Sequence, residues 1–203
     1  MSKKPIIVFE GIEGSGKSHH IRKIVSFLKK NKIDFIYLRE PGGNLNSEKI
    51  RKLILSKKTK FQPKTDLLLY IAARNENISI LKKNYKKKII LIDRFVDSTV
   101  AYQHYGMGLN INFINNINKF VLDRLKVDFT FLNVVSEKNM IMRLKKRKRL
   151  NRYDKFNKNF YKNVQKGFIK MAKKNPKKYF IVNSNLEIKS NEKLIINKVK
   201  ELI

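Results

Sequence analysis

Residues 11–18 read Gly11-Ile12-Glu13-Gly14-Ser15-Gly16-Lys17-Ser18. An apolar run at residues 5–10 precedes them, and apolar residues at helical spacing follow, at Ile21, Ile24, Val25 and Leu28. This order predicts strand, loop and helix. The loop fits the pattern G-x-x-x-x-G-K-[ST], in which glycines let backbone N–H groups close around phosphate oxygens at a helix N-terminus. Lys17 would add a positive charge for the terminal phosphates, and the Ser18 hydroxyl is placed to bind Mg²⁺.

The length and composition of the chain limit its class. With 203 residues it is long enough for one α/β domain, and we expect a single domain over residues 1–203. It has no cysteine, which excludes disulfides and thiolate metal sites. The apolar runs are short and the first runs directly into the loop, so we expect neither a cleaved signal peptide nor contact with a membrane.

The formal net charge of +31 would normally suggest a nucleic-acid partner. The excess comes mostly from lysine spread along the whole chain, and it accompanies abundant isoleucine and asparagine. All three residues have A- and T-rich codons, so genomic base composition is a sufficient cause. The chain also lacks zinc-finger, RNP-type and basic-zipper patterns, and we expect no specific nucleic-acid partner.

Strands and helices alternate along the chain. Apolar runs predict strands at residues 5–10, 34–38, 89–92, 127–135 and 179–182. Helical spacing predicts helices at residues 21–28, 50–55, 67–81, 113–122, 140–144, 160–171 and 194–202. Such alternation predicts a P-loop NTPase fold of the α/β class, with a five-stranded parallel sheet and helices on both faces.

Polar residues follow several of these strands and should meet at the carboxyl edge of the sheet, where α/β proteins bind ligands. Glu40-Pro41 follows the second strand, and Asp93-Arg94 follows the third. Asp93 could share a metal with Ser18, while Arg94 could bind a second phosphate. Two facing phosphate sites suggest a kinase whose acceptor itself carries a phosphate.

The densest cationic run spans residues 145–152. A charge run of this kind is usually a solvated helix face. Here Arg51 and Arg74 add further cations, more than a simple ATPase needs. Phosphoryl transfer depends on charge neutralisation, so we interpret residues from about 145 to 155 as a short arginine-rich lid.

Four further segments, together with residues 11–18, resemble bacterial thymidylate kinases in order and spacing over essentially the whole chain. They are Arg39-Glu40-Pro41-Gly42-Gly43, Tyr70-Ile71-Ala72-Ala73-Arg74, Asp93-Arg94-Phe95 and Asp97-Ser98-Thr99-Val100-Ala101-Tyr102-Gln103. The resemblance implies transfer of the ATP γ-phosphate to dTMP with Mg²⁺, giving dTDP, by a cytoplasmic homodimer.

The resemblance also implies site residues. It assigns ATP binding to Gly11, Ile12, Glu13, Gly14, Ser15, Gly16, Lys17 and Ser18, and Mg²⁺ to Ser18 and Asp93. It assigns dTMP binding to Glu13, Pro41, Arg51, Tyr70, Arg74, Arg94, Thr99, Tyr102 and Gln103. In that set Tyr70 stacks on thymine, Arg74 and Thr99 contact the base, and Tyr102 disfavours a ribose. The alternative is that Tyr70 and Tyr102 pack in the core and that Arg51 and Arg74 are surface charges.

One subclass of the family it resembles carries an arginine within the phosphate loop, and the other has glycine there and a basic lid. This chain has Gly14 in the loop and Lys145, Arg147, Arg149 and Arg152 in the lid. The basic lid adds Arg147 and Arg152 to the phosphate-site residues named above. The expected catalytic residues are Lys17, Asp93, Arg94, Arg147 and Arg152.

Two other functions stay open at this point. A related kinase could prefer another acceptor, such as dCMP, UMP or thymidine. Alternatively, a nucleic-acid-binding protein could retain a decayed kinase scaffold, although the presence of Lys17, Ser18, Asp93 and Arg94 argues against decay.

We predict that Lys17→Ala abolishes turnover and leaves the fold intact, because it removes a phosphate-binding charge and no core packing. The measurement is ADP release, with circular dichroism as the control for folding. Near-normal turnover in a folded variant would show that residues 11–18 do not bind the donor phosphates.

Overall fold

Five parallel strands form one sheet in the computed structural model, which describes residues 4–147 and 151–203. They are β1 (Ile6–Glu10), β2 (Phe35–Arg39), β3 (Ile89–Asp93), β4 (Phe129–Val134) and β5 (Tyr179–Asn183). The strand order is β2-β3-β1-β4-β5, which places β1 in the centre. The predicted five-stranded parallel sheet is confirmed.

Eight α-helices connect or flank the strands within the described residues. They are α1 (Lys17–Lys30), α2 (Leu45–Leu55), α3 (Pro63–Asn84), α4 (Val96–Thr99), α5 (Ile111–Leu122), α6 (Glu137–Lys145), α7 (Lys158–Lys174) and α8 (Ile188–Leu202). A short 3-10 turn, Arg152–Lys155, lies between α6 and α7.

Helices cover both faces of the sheet, which explains the uninterrupted apolar runs in its central strands. Successive strand residues point to opposite faces. Ile7 and Phe9 of β1 pack in one cluster with residues of α1 and α8. Ile6 and Val8 pack in another with residues of α3 and α5.

The predicted elements agree with the structure except at their ends and in one segment. No helix was expected between residues 95 and 108, but α4 continues there into a π-helix, Val100–Gly106. A π-helical segment bonds from residue i to i+5, so the usual helical repeat of apolar positions does not reveal it. This segment carries Tyr102 and Gln103 into the site described below.

Glu10, at the carboxyl end of β1, fixes the start of that segment. Its buried carboxylate accepts hydrogen bonds from the backbone N–H of Phe95 at 2.8 Å and of Ser98 at 3.2 Å. The Ser98 hydroxyl donates to its other oxygen at 2.6 Å. Arg94, just before this anchored stretch, has a positive φ of 67°, a conformation that is unfavourable for a residue with a side chain. Glu10 thus helps hold the backbone that aims Arg94.

We predict that Glu10 makes the fold less stable as pH rises. Burial, and then the nearby Asp97 carboxylate, raise the pKa of Glu10 to about 7. The folded state therefore holds this proton more tightly than the unfolded chain, and the resulting stabilisation, complete below about pH 4.5, is lost as pH rises through about 7.

Glu10→Gln keeps the shape and one carbonyl acceptor but cannot ionise. Between pH 5.5 and pH 8, the wild type should lose about 2 kcal/mol more unfolding free energy than the variant, measured by urea denaturation. The other titrating groups are present in both proteins, so the difference between the two pH profiles reports on Glu10. Parallel pH profiles would contradict the assignment.

Candidate active site

A cavity of about 490 Å³ opens at the carboxyl edge of the sheet. Its walls come from the phosphate loop (residues 11–18), the ends of β2 and β3, helices α2 and α3, the segment after β3, and the lid. The predicted site residues that line it are Glu13, Gly14, Ser15, Gly16, Lys17, Ser18, Pro41, Arg51, Tyr70, Arg74, Asp93, Arg94, Thr99, Tyr102, Gln103 and Arg147. Gly11, Ile12 and Arg152 do not line the cavity.

The phosphate loop has the backbone that its glycines predict. Gly11 and Gly16 have positive φ values of 138° and 89°. A Cβ atom on Gly11 would lie 2.3 Å from the backbone oxygen of Asn133, so close approach to β4 also requires glycine there. Gly16 directly precedes α1, whose positively polarised N-terminus therefore faces the cavity.

Lys17 is folded back onto this loop. Its ammonium group donates to the carbonyl oxygens of Gly11 at 2.7 Å and of Ile12 at 3.0 Å. Burial, and then the Arg94 cation, lower the pKa of Lys17 to about 7. Phosphate oxygens in the loop would favour the charged amine and so oppose this shift.

Asp93 and Ser18 fit a magnesium site of the kind found with nucleotides. Asp93 ends β3, and among the described residues its carboxylate has no hydrogen-bond partner. Ser18 is exposed in the first turn of α1, and both residues line the cavity. Residues 4–147 and 151–203 contain no cluster of three or more His, Cys, Asp or Glu suited to a metal. Magnesium in such enzymes typically takes one or two protein oxygens and completes its shell with phosphate and water.

Arg94 joins the phosphate loop to the segment after β3. Its guanidinium donates to the Gly11 carbonyl at 2.9 Å, to the Ser98 hydroxyl at 3.3 Å and to the Glu13 carboxylate at 2.9 Å. It also lies over the Tyr102 ring, 5.2 Å from the centroid. A cation held by this many contacts is aimed before any ligand arrives.

Glu13 is the anionic partner in this group. One of its oxygens accepts from Arg94, and the other accepts from the Tyr102 hydroxyl. Burial alone would raise the pKa of the Glu13 carboxyl, but the Arg94 and Lys17 cations more than compensate and lower it. Glu13 is therefore a carboxylate at neutral pH, and it holds the Tyr102 ring in the cavity wall.

Arg74 lies in the cavity wall, with its side chain only 2% exposed. It donates to Glu40 at 2.8 Å, to Thr99 at 3.0 Å and to Asn118. The alternative of a surface charge is therefore wrong for Arg74. A guanidinium has five N–H donors, so donors remain for a ligand after these three contacts.

Gln103 is buried beside this network and lines the cavity. Its amide nitrogen has no hydrogen-bond partner among the described residues. A buried amide donor without a partner is costly, and rotation of the Gln103 side chain toward a ligand oxygen in the cavity would satisfy it. Gln103 is therefore well suited to read a polar edge of a planar ligand.

Arg51 and Tyr70 are further residues of the cavity wall. Arg51 is partly buried and donates to the carbonyl of Pro41 at 2.7 Å, which keeps its guanidinium against the cavity. Tyr70 is partly buried in α3 and meets the Tyr153 ring edge to face at 6.2 Å. Both side chains have surface within the cavity, so neither is wholly used in core packing.

The two lid arginines expected to be catalytic differ in position. Arg147 lines the cavity, is 46% exposed and pairs with Asp154 at 2.9 Å. Arg152 instead donates to Asp66 and to the carbonyl of Ile54. Arg149, the other arginine placed in the lid, lies outside the described residues.

Sequence reasoning missed Glu10 and Asp66, and it gave no specific role to Arg143 or Glu40; all four shape the site. Arg143 of α6 donates to the Gly14 carbonyl at 3.0 Å and lies over the phosphate loop, two residues before the cationic run at residues 145–152. Glu10, Glu40 and Asp66 are buried acids that hold arginines or their backbone. In so basic a chain, the signal available for these three was an acidic residue at or just after the end of a strand, or in the first turn of a helix.

The comparisons with known proteins agree with this geometry. The sequence model of thymidylate kinases matches residues 9–195. Thymidylate kinase of Kosmotoga olearia is 33% identical over 97% of this chain and 94% of its own length. That of Sulfurihydrogenibium sp. is 35% identical over 96% of each chain. The crystal structure of thymidylate kinase from Ehrlichia chaffeensis superposes with a TM-score of 0.77 at 32% identity, covering 97% of this chain and 98% of that one.

Proposed function

The chain belongs to the thymidylate kinase family, and we propose that the cavity described above is where it phosphorylates dTMP to dTDP with ATP and Mg²⁺. One observation supports the placement of the reaction more than any other. The Arg94 guanidinium contacts both the phosphate loop and the acceptor side of one cavity. A donor phosphate and an acceptor phosphate bound on its two sides would therefore be neighbours.

On the donor side, residues 11–18 bind the ATP phosphates through backbone N–H groups and the N-terminus of α1. The Lys17 amine exchanges its carbonyl contacts for phosphate oxygens, which requires only a side-chain movement. Asp93 and Ser18 hold Mg²⁺, which neutralises phosphate charge when bound. Arg143 adds a further cation over the loop.

On the acceptor side, Tyr70 stacks on the thymine ring, and Arg74 donates to its O4 atom. Thr99 and Gln103 face the base edge, with the unpartnered Gln103 amide as a donor. Glu40 supports this selectivity, because its ion pair fixes the Arg74 guanidinium. A planar base with correctly placed oxygens would satisfy donors that a different base would leave unpaired.

The sugar and phosphate of dTMP occupy the middle of the cavity. Tyr102, held by Glu13, lies against the C2′ position and disfavours a ribose, while Glu13 approaches the 3′-hydroxyl. Arg94 and Arg51 hold the acceptor phosphate, and Pro41 closes that wall. Two arginines on one phosphate both position the attacking oxygen and lower its repulsion from the donor.

The lid, at about residues 145–155 of a single domain spanning residues 1–203, supplies charge to the transferring phosphoryl group through Arg147. Arg147 lines the cavity, and its guanidinium can leave Asp154 for the phosphates because the Arg147 side chain is 46% exposed and Asp154 keeps a hydrogen bond from the Asn151 backbone N–H at 2.7 Å. The transfer moves charge onto the equatorial and bridging oxygens without a protein-bound intermediate, so these cations carry most of the catalysis.

We propose a homodimer that works in the cytoplasm, with its interface on α3 and α5. These helices pack side by side, and Phe120 and Phe113 of α5 are 83% and 53% exposed. Between exposed lysines near its two ends, α3 exposes the uncharged residues Leu68, Ala72, Asn75 and Ser79. An uncharged strip on a chain of net charge +31 suits a second copy better than solvent.

We predict that ADP release is faster with dTMP than with dCMP, UMP or thymidine at equal concentrations. The reason is that the base contacts reject cytosine, Tyr102 rejects ribose, and Arg94 and Arg51 need a phosphate. A coupled ADP assay across the four acceptors makes the measurement.

Higher turnover with any of the other three acceptors would contradict the proposed residue roles. If none of the four acceptors, dTMP included, gives ADP release and the protein binds RNA tightly at physiological salt, the result would instead support the decayed-scaffold alternative. Lys17→Ala is the matched control, since it removes donor binding without touching the acceptor wall.

A further inference from the structure

Asp66 is a buried carboxylate that belongs to no recognised motif. It lies in the first turn of α3 and is 1% exposed. Both of its oxygens are used: Oδ1 accepts from Arg152, and Oδ2 accepts from the Tyr153 hydroxyl at 2.6 Å. Both donors belong to the 3-10 turn Arg152–Lys155 of the lid, so one acidic residue binds the lid turn to the helix that carries Tyr70 and Arg74.

Arg152 is directed away from the phosphates by these contacts. Besides Asp66, its guanidinium donates to the Ile54 carbonyl at the end of α2 and to the Tyr153 hydroxyl at 3.2 Å. It lies over the Phe61 ring at 5.3 Å, and its side chain is 11% exposed. Breaking a buried ion pair from one side is costly, because the remaining charge loses its partner. Arg152 is therefore poorly placed to give up these contacts and bind a phosphoryl group instead.

Tyr153 connects Asp66 to the cavity. Its ring lines the cavity and meets the edges of Tyr70 at 6.2 Å and of Tyr102 at 5.8 Å. These are the two aromatic residues assigned to the base and the sugar. Tyr161 of α7 donates to the Tyr153 backbone oxygen at 2.7 Å and fixes the other side of the turn. The position of the acceptor wall therefore depends on the bond between Tyr153 and Asp66.

We propose that Asp66 is a positioning residue for dTMP, and that Arg152 acts through Asp66 as the anchor of the lid turn, not on the transferred phosphoryl group. This inference rests on the proposed dTMP site. Arg147 precedes the turn in the chain and lines the cavity, so we keep the catalytic role for Arg147. The pair Asp66–Arg152 sets where the acceptor wall closes, and Arg147 neutralises charge.

The test measures kcat and the KM for dTMP of the full chain carrying Asp66→Asn, Arg152→Ala, or both. Each single change should raise the KM for dTMP about tenfold, since a charged hydrogen bond is lost, with kcat within about fivefold of wild type. The double variant should match the worse single variant within about threefold, because both changes remove one contact. Arg152→Lys keeps a charge for Asp66 and should recover much of the KM loss.

The inference is overturned if Arg152→Ala lowers kcat by about 100-fold or more with unchanged KM, as loss of a transition-state arginine would. Arg147→Ala is the matched control: it should show that kcat loss, and its effect should multiply with that of Asp66→Asn. If Asp66→Asn does not fold, Tyr153→Phe decides, because it removes only one hydroxyl. A raised KM for dTMP supports the inference, and an unchanged KM overturns it.

Failure of this inference is distinguishable from failure of the proposed site. A wild-type protein without dTMP-dependent ADP release would refute the site itself. An active wild type whose Asp66→Asn and Arg152→Ala effects multiply would refute only the anchoring role.

Discussion

The contacts of Arg94 are the constraint on which the site depends. This one guanidinium reaches the Gly11 carbonyl, the Ser98 hydroxyl and the Glu13 carboxylate, and covers the Tyr102 ring. Its backbone has a positive φ, and Glu10 fixes the residues that follow it. The central strands β1 and β3 thus deliver, at adjacent tips, a phosphate loop and a cation already aimed at it. The cost of orienting that cation is met by folding instead of by substrate binding.

The acidic residues explain how so basic a chain builds a defined site. The chain has 47 lysines and arginines but only 16 aspartates and glutamates. Three of these acids form arginine pairs with little exposure around the cavity, namely Glu13 with Arg94, Glu40 with Arg74, and Asp66 with Arg152. Each pair fixes a guanidinium that surface charge alone would leave mobile. The function is therefore set by where the few carboxylates lie, and the net charge is a poor guide to it.

The sequence predicted the parts of the molecule that depend on local patterns. The phosphate loop is one continuous motif, and the strands are short apolar runs, so residues 11–18 were identified directly and β1 to β5 were found within two residues of their ends. The pairing of side chains could not be predicted in this way, because Arg152 meets Asp66 across 86 positions and Arg143 meets Gly14 across 129. The π-helix was missed because its repeat differs from that of an α-helix. Tertiary contacts therefore decided which lid arginine faces the cavity.

The most direct measurement of the central claim compares the binding of dTMP and thymidine to wild type and to Arg94→Gln by isothermal titration calorimetry. If Arg94 holds the acceptor phosphate, the wild type should bind dTMP at least about tenfold more tightly than thymidine, and the variant should lose most of that preference while still binding thymidine. Retained thymidine binding shows that the base pocket is intact. An undiminished preference for dTMP in the variant would contradict the account.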